Sequence, residues 1–281
     1  SAPPVAGRLA ARAGHGEALV REPYRLLDLF SGIGGFSLGL ERSGGFKTVA
    51  FCEIEPFPRK VLAKHWPEVP CYDDVRTLTA ARLAADGIAV DAICGGFPCQ
   101  DISFAGNLAG INDGTRSGLW GQYARLIGEI RPRIVIVENV ANLLSGPPEQ
   151  PGGWFGAILA DLAALRYDAE WHCIRAGACG LPQERDRVWL LAYPDEIGRK
   201  APILETALPY QAGAFREWEQ VELRGTRSGN ARWLPVTRNW RVDNGVPSQL
   251  DKDRTGAVGN AVVPQIPELI GRAIMAWDDA A

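Results

Sequence analysis

The sequence predicts an α/β fold, a single sheet with helices on both faces, and a smaller lobe set between residues 194 and 255. Three observations carry this. Short apolar runs alternate with stretches of helical periodicity from residue 24 to residue 193, the pattern of strand–helix–strand units. The alternation breaks between Pro194 and about Thr255, where turn residues, arginines and Trp218, Trp233 and Trp240 gather. Helical periodicity then returns in "IPELIGRAIMAW" (266–277).

Taken in order, "YRLLDLF" (24–30) reads as a strand and "FSLGLERS" (36–43) as the opening of a helix. "KTVAFCE" (47–53) is a second strand and "PFPRKVLAKHW" (56–66) a helix. A short third strand is expected near 69–72, and "VDAICGG" (90–96) supplies the fourth. "GLWGQYARLIGEI" (118–130) is helical, and the β-branched density of "RIVIVENV" (133–140) marks a fully buried strand. "WFGAILADLAALR" (154–166) is a helix, followed by strands at "DAEWHCI" (168–174) and "RVWLLAY" (187–193). Such alternation implies a parallel sheet. The expected organisation is a flexible tail at 1–22, a core domain at 23–193, the small lobe at 194–255, and a segment at 256–281 that returns to the core domain.

Composition narrows the function classes. The 281 residues carry a formal net charge of -3, a sign that decides nothing, because nucleic-acid binding depends on local patches. Residues 199–254 hold ten Lys/Arg against seven Asp/Glu, so this stretch is locally +3 and the remainder -6. The six cysteines form no CxxC pair and no metal-type spacing. They read as reduced thiols, which with the absence of a secretory signal leads us to expect a cytoplasmic protein without a metal. No apolar run approaches the roughly 18 residues of a membrane helix.

Chemistry concentrates at the ends of the strands. "DLFSGIGGF" (28–36) runs from a strand through glycines into a helix start. Glycines there let a ligand approach the backbone, and the helix N-terminus presents free N–H groups. The spacing is not GxGxxG, which weighs against a dinucleotide enzyme. The second strand ends at Glu53, whose carboxylate can accept both hydroxyls of a ribose. The third ends near "YDDV", where Asp74 can accept from an adenine amine. Each alone is equally a tight turn or a surface acid; three successive strand ends with suitable groups weigh more.

The fourth strand leads into "GGFPCQ" (95–100), which places Cys99 in a polar turn on the same edge. A thiol there becomes a nucleophile if cations or a helix N-terminus lower its pKa, whereas Cys94, within the strand, reads as a small core residue. Glu138 in "ENV" is either a cap for the next turn or an acid beside the cysteine. In "PQERDR" (182–187) the two-residue period sets Arg185 and Arg187 on one side of an extended segment. "VGNAVVP" (258–264) is a turn bearing Asn260.

In this order, "DLFSGIGGF", Glu53, Asp74, "GFPCQ", "ENV", "QERDR" and "GNAVVP" resemble the motifs of the DNA (cytosine-5)-methyltransferases, over about 24–193 and 256–277. The resemblance implies a Rossmann-like S-adenosylmethionine-dependent methyltransferase sheet with a small DNA-recognition lobe. It implies Cys99 as the nucleophile that adds to C6 of cytosine, Glu138 as the acid at N3, Arg187 as the contact to O2, and Arg185 as the residue ordering the cysteine loop. C5 of an aromatic ring is a poor nucleophile. Addition at C6 breaks the aromaticity and leaves an enamine, and an acid at N3 stabilises the charge pushed into the ring. The target base must also leave the duplex.

For S-adenosylmethionine, with S-adenosylhomocysteine as product, the resemblance implies a methionine side lined by Phe30, Gly32, Ile33, Gly34 and Gly35. Glu53 and Ile54 would hold the ribose, and Asp74 and Val75 the adenine. Gly96, Pro98, Leu119, Asn260, Ala261 and Val262 would complete the wall; the family often has serine in place of Ala261. The segment "DISFAGNLAGINDGTRSG" (101–118) resembles the loop that closes over the base, with Gln100, Ser103 and Arg116 toward DNA. In the lobe, Arg232, Arg238 and Arg241 interleave with tryptophans, a composition suited to phosphate contact and base stacking.

The resemblance further implies double-stranded DNA as partner, a prokaryotic or phage-encoded monomer, and a cognate restriction endonuclease as companion. Two departures bear on specificity: the recognition segment is short, and "DKDRTGAVGN" is the nearest approach to the arginine-rich motif before the last helix. Competing readings are a tRNA cytosine-5 methyltransferase, disfavoured by the run "CQDIS" after the nucleophile, and a catalytically silent DNA-binding homologue, disfavoured by Cys99, Glu138, Arg185 and Arg187 together. A nicotinamide oxidoreductase fits the glycine turn and Cys99 badly.

Overall fold

In the computed structural model the described residues are 21–98, 118–145, 152–175, 186–197, 203–204, 257 and 261–280. They build one seven-stranded sheet in the order β3-β2-β1-β4-β5-β7-β6. The strands are β1 (Tyr24–Leu29), β2 (Phe46–Cys52), β3 (Cys71–Tyr72), β4 (Ala92–Gly95), β5 (Ile134–Val140), β6 (Tyr167–Arg175) and β7 (Asp186–Pro194). The helices are α1 (Gly35–Arg42), α2 (Pro56–His65), α3 (Ala80–Ala85), α4 (Leu119–Ile130), α5 (Gly153–Ala164) and α6 (Gln265–Ala280).

The period-2 alternation of the central strands sorts their side chains onto two cores. Leu27, Leu29, Ile93, Val135 and Val137 meet Leu83 of α3, Leu126 and Ile127 of α4, and Ile158 and Leu162 of α5. Leu26, Cys94, Ile134 and Ile136 face the other way, against Phe36 and Leu40 of α1 and Ile270 and Ile274 of α6. Helix α6 seats closely on α1 because glycines stand at the contacts: a Cβ on Gly39 would lie 2.1 Å from the Pro264 carbonyl oxygen.

Two findings depart from the expected pattern. The sheet is mixed, since β7 runs antiparallel to both β5 and β6. β6 and β7 follow one another without an intervening helical pattern in the sequence, which leaves no crossover to return the chain for parallel pairing. Helix α3 is additional to the helices the periodicity marked. Thr79 caps it by accepting from the Arg82 N–H at 3.1 Å, and only Leu83 of its residues is buried, so an apolar stripe hardly exists to be read.

The segment after β7 begins within this body. The Glu170 carboxylate, buried on β6, accepts from the N–H groups of Ile203 and Leu204 at 2.9 and 3.0 Å, and both residues are buried beside Trp189 and Tyr193.

Candidate active site

The C-terminal ends of β1, β2, β3, β4 and β5 lie along one edge, as parallel pairing through β3-β2-β1-β4-β5 requires. After β1 the chain turns sharply. Phe30 takes φ 52°, Gly32 φ 53° and Gly34 φ 87°, and Gly34 caps α1. A left-handed phenylalanine is a strained residue that the surroundings must hold. Several bonds do so. The Ser31 hydroxyl donates to the Asp28 carbonyl at 2.6 Å, and the Ser31 N–H donates to the Cys52 carbonyl at 3.2 Å. The Glu53 carboxylate accepts from the Gly32 N–H at 2.7 Å and from the Glu55 N–H at 2.8 Å.

Glu53 is thus buried and already fixes the glycine turn to β2. A carboxylate offers about four lone-pair sites, so two backbone donors leave acceptors for hydroxyl groups. Beside it Ile54 is 58% exposed and offers an apolar surface next to the carboxylate. A Cβ on Gly32 would meet nothing within 4 Å, so the outer side of the turn is open. Asp74 accepts from the Arg76 backbone N–H at 2.9 Å and pairs with the Arg76 guanidinium at 2.9 Å, and that hydrogen-bonded cation holds its carboxyl below the usual range. Val75 is buried beneath it and Leu119 half-buried. Val262 reaches the turn from the chain's end: a Cβ on Gly35 would lie 2.3 Å from the Val262 carbonyl oxygen, and Ala261 precedes it.

The second half of the site stands on β4, β5 and β7. Glu138 lies opposite Trp189 and Val140 opposite Arg187, so Glu138 and Arg187 are diagonal neighbours on one face. The antiparallel run of β7 is what brings them together. Arg187 Nε lies 3.0 Å from Glu138 Oε1, with the two side chains 22% and 10% exposed. A pair this sheltered needs both members, because either charge left alone would be costly. The other oxygen, Glu138 Oε2, faces Gly96: a Cβ there would come within 2.8 Å of it. Gly96 therefore sets the acid against the strand end that leads to Pro98, which is exposed, and then to Cys99.

Cys99, Gln100, Ser103, Arg116, Arg185, Arg232, Arg238, Arg241 and Asn260 lie outside the described residues. Among the described residues no cluster of His, Cys, Asp and Glu could hold a metal, and no helix is long and apolar enough to cross a membrane.

The family model of C-5 cytosine-specific DNA methylases matches residues 24–229. The chain belongs to this family. Among curated proteins similar to this chain, the Type II methyltransferase M2.BsuMI of Bacillus subtilis is 37% identical over 172 residues, 60% of this chain and 41% of that protein. M.MspI of a Moraxella species is 28% identical over 243 residues, 85% of this chain and 54% of the relative. A solved prophage-encoded protein of E. coli, described as a DNA modification methyltransferase, superposes with TM-score 0.53 at 26% identity, covering 64% of this chain and 49% of its own. Spodoptera frugiperda DNMT2 shares the fold, with TM-score 0.51 over 63% of this chain and 52% of that one. The chain spans about half the length of the curated relatives it matches. Strand order and neighbours agree on the Rossmann-like methyltransferase sheet.

Two residues of the candidate site are not marked by the sequence patterns. Arg125 of α4 donates through Nη2 to the carbonyls of Val75 and Leu78 at 3.0 and 2.8 Å, and is itself held by Glu129 at 2.7 Å. It ties down the loop that carries Asp74. The i,i+4 spacing of Arg125 and Glu129 was visible, but it signals only a helix-surface pair. Asn139, buried next to Glu138, donates to the Phe97 carbonyl at 2.9 Å and so anchors the chain two residues before Cys99. Its burial within "ENV", where a polar amide needs a partner, was the available signal.

Proposed function

We propose that the chain transfers a methyl group from S-adenosylmethionine to C5 of a cytosine flipped out of double-stranded DNA, through a covalent Cys99 adduct. The observation that carries the reading is the buried Glu138 carboxylate, wedged against Gly96 and paired with Arg187, on the edge that also bears the open glycine turn.

The residues present fit the cofactor. The open face over Gly32, the exposed Ile54 and the acids Glu53 and Asp74 suit a charged amino acid joined to a nucleoside. Phe30, Gly32, Ile33, Gly34, Gly35 and Val262 would hold the amino-acid part. Glu53 and Ile54 would hold the ribose, and Asp74 and Val75 the base. When bound, the cofactor supplies an electrophilic methyl group on a sulfonium sulfur.

The chain's own residues act on the cytosine. The Cys99 thiolate adds to C6, and the electron pair displaced from the C5–C6 bond makes C5 nucleophilic. Glu138 hydrogen-bonds or protonates N3, where the charge pushed into the ring accumulates. Arg187 holds Glu138 in place and is aligned to contact O2, and Arg185 orders the cysteine loop. After C5 has gained its fourth substituent, a water removes the C5 proton, the C5–C6 double bond re-forms, and the C6–sulfur bond breaks to return the Cys99 thiolate. Gln100, Ser103 and Arg116 would meet the DNA as the loop closes, and Arg232, Arg238 and Arg241 would contact its backbone from the small lobe.

Transfer of labelled methyl groups to duplex DNA and to tRNA, with mapping of the modified cytosines, tests the reading. Modified cytosines in duplex DNA that disappear in Cys99→Ser are expected. Label in tRNA alone, or none in either, would overturn it.

A further inference from the structure

The acid that follows β2 does more in this fold than stand ready for a ribose. Glu53 is buried, and its own N–H donates to the Tyr72 carbonyl at 2.9 Å, which fixes its backbone against β3. Its two carboxylate oxygens then reach two different turns. Oε2 accepts from the Gly32 N–H at 2.7 Å, and Oε1 accepts from the N–H of Glu55, the residue that caps α2, at 2.8 Å. Along the glycine turn the other residues have supports of their own. Ser31 is bonded to Asp28 and Cys52, a Cβ on Gly34 would lie 2.7 Å from the Trp66 ring, and one on Gly35 would lie 2.3 Å from the Val262 carbonyl oxygen. Gly32 has no such wall: at φ 53°, a Cβ there would meet nothing within 4 Å. A glycine so placed is free to wander unless a hydrogen bond holds it, and Glu53 supplies that bond.

We propose that Glu53 is a positioning residue for the amino-acid end of the cofactor, in addition to accepting from its ribose: by tethering Gly32 it presets the glycine turn before any ligand arrives. The inference rests on the cofactor reading above. One carboxylate then serves both halves of the ligand, the nucleoside by contact and the amino acid through the turn. A turn already ordered spares the ligand the cost of ordering it on binding. Without the tether Gly32 samples its wide conformational range, and the amino-acid end must fix it. The loss therefore falls on a part of the ligand that Glu53 does not touch. The same geometry explains why a carboxylate stands here rather than an amide. Both oxygens are met by backbone N–H donors, whereas glutamine has one acceptor and would turn its NH2 group toward one of those donors.

Calorimetric titration of the full chain with S-adenosylhomocysteine and with 5′-methylthioadenosine separates the two roles. The second ligand keeps the adenine and ribose but ends in a methyl group where the amino-acid arm would begin. The ratio of the two affinities therefore measures what the amino-acid end contributes. Glu53→Ala is expected to weaken 5′-methylthioadenosine through the ribose and to weaken S-adenosylhomocysteine about tenfold more, the cost of ordering about one backbone residue. A general loss of stability would lower both affinities alike and leave the ratio where it was. Hydrogen exchange on the ligand-free chain gives a second reading: peptides spanning 30–35 should exchange faster in Glu53→Ala, while those of β5 keep the wild-type rate. Should Glu53→Ala fail to fold, Glu53→Gln keeps the shape of the side chain and carries the same two comparisons, with a smaller fall in the ratio expected. An unchanged ratio, or unchanged exchange at 30–35, would overturn the proposal and leave the cofactor reading standing. Failure of the wild-type chain to bind either ligand would overturn both.

Discussion

Gly96 is expected to line the cofactor and also stands against Glu138, and Gly96→Ala separates the two contributions. The added methyl group would lie 2.8 Å from Glu138 Oε2 and 3.3 Å from the Glu138 carbonyl oxygen. The carboxylate must swing away, and Oε1 cannot move with it without lengthening the 3.0 Å pair with Arg187. Crowding of this kind costs about 1–3 kcal/mol, which an otherwise intact fold tolerates. A displaced general acid forfeits roughly 10²–10⁴ in rate. We therefore expect kcat to fall by at least about a hundredfold while S-adenosylmethionine affinity, measured by calorimetry, stays within about threefold. Gly95→Ala is the control: its Cβ would lie 2.3 Å from the Leu29 carbonyl oxygen, a backbone atom with nowhere to go, so stability itself should fail. Wild-type kcat in a folded Gly96→Ala, or a loss of cofactor affinity in proportion to kcat, would refute the assignment.

Arg125→Met should weaken cofactor binding about tenfold or more, as two hydrogen bonds from a charged donor are lost, while kcat at saturation changes little; calorimetry and steady-state kinetics separate the two. Asn139→Ala should do the reverse, lowering kcat with cofactor affinity kept, because it frees the Phe97 carbonyl ahead of Cys99. Asp28→Asn should melt higher than wild type above pH 7 and lose that advantage toward pH 4. The folded protein keeps the Asp28 proton up to about 7 against 3.8 for the ordinary carboxyl, so ionisation of the buried group costs the native state roughly 4 kcal/mol at alkaline pH. Thermal melts across that range check it.

Legibility in the sequence followed the strength of the periodic signal. The strands from Tyr24 to Leu29 and from Ile134 to Val140 are dense in apolar residues and flanked by turns, and their bounds were readable to within a residue. Helix α3 and the two-residue β3 were weak because so little of either is buried. The antiparallel β7 could not be read from the run itself, since a fully buried strand looks alike in both directions. That single reversal makes the Glu138–Arg187 pair. Glu53 and Glu138 were legible as acids at strand ends. That Glu53 spends two acceptors on backbone N–H groups was not, because such bonds depend on where Gly32 and Glu55 come to rest.

The geometry also assigns α4 more than a packing duty. Its 3.6-residue period puts Trp120 and Tyr123 on the buried side and leaves Arg125 to reach past the helix edge. Tyr123 stacks toward Phe30 with ring centroids 6.4 Å apart, Trp120 lies 5.7 Å from Tyr123, and Phe97 lies 5.5 Å from Trp120. A continuous aromatic row thus joins the glycine turn to the residue two places before Cys99. On the same helix Arg125 grips the carbonyls of the loop bearing Asp74. The glycine turn, the loop bearing Asp74 and the end of β4, proposed above to serve the methionine side, the adenine and the target base, therefore share one rigid support. Close-packed aromatic rings transmit displacement rather than absorb it, so a shift of α4 by even a fraction of an ångström would move the glycine turn and the end of β4 together and preserve their mutual distance.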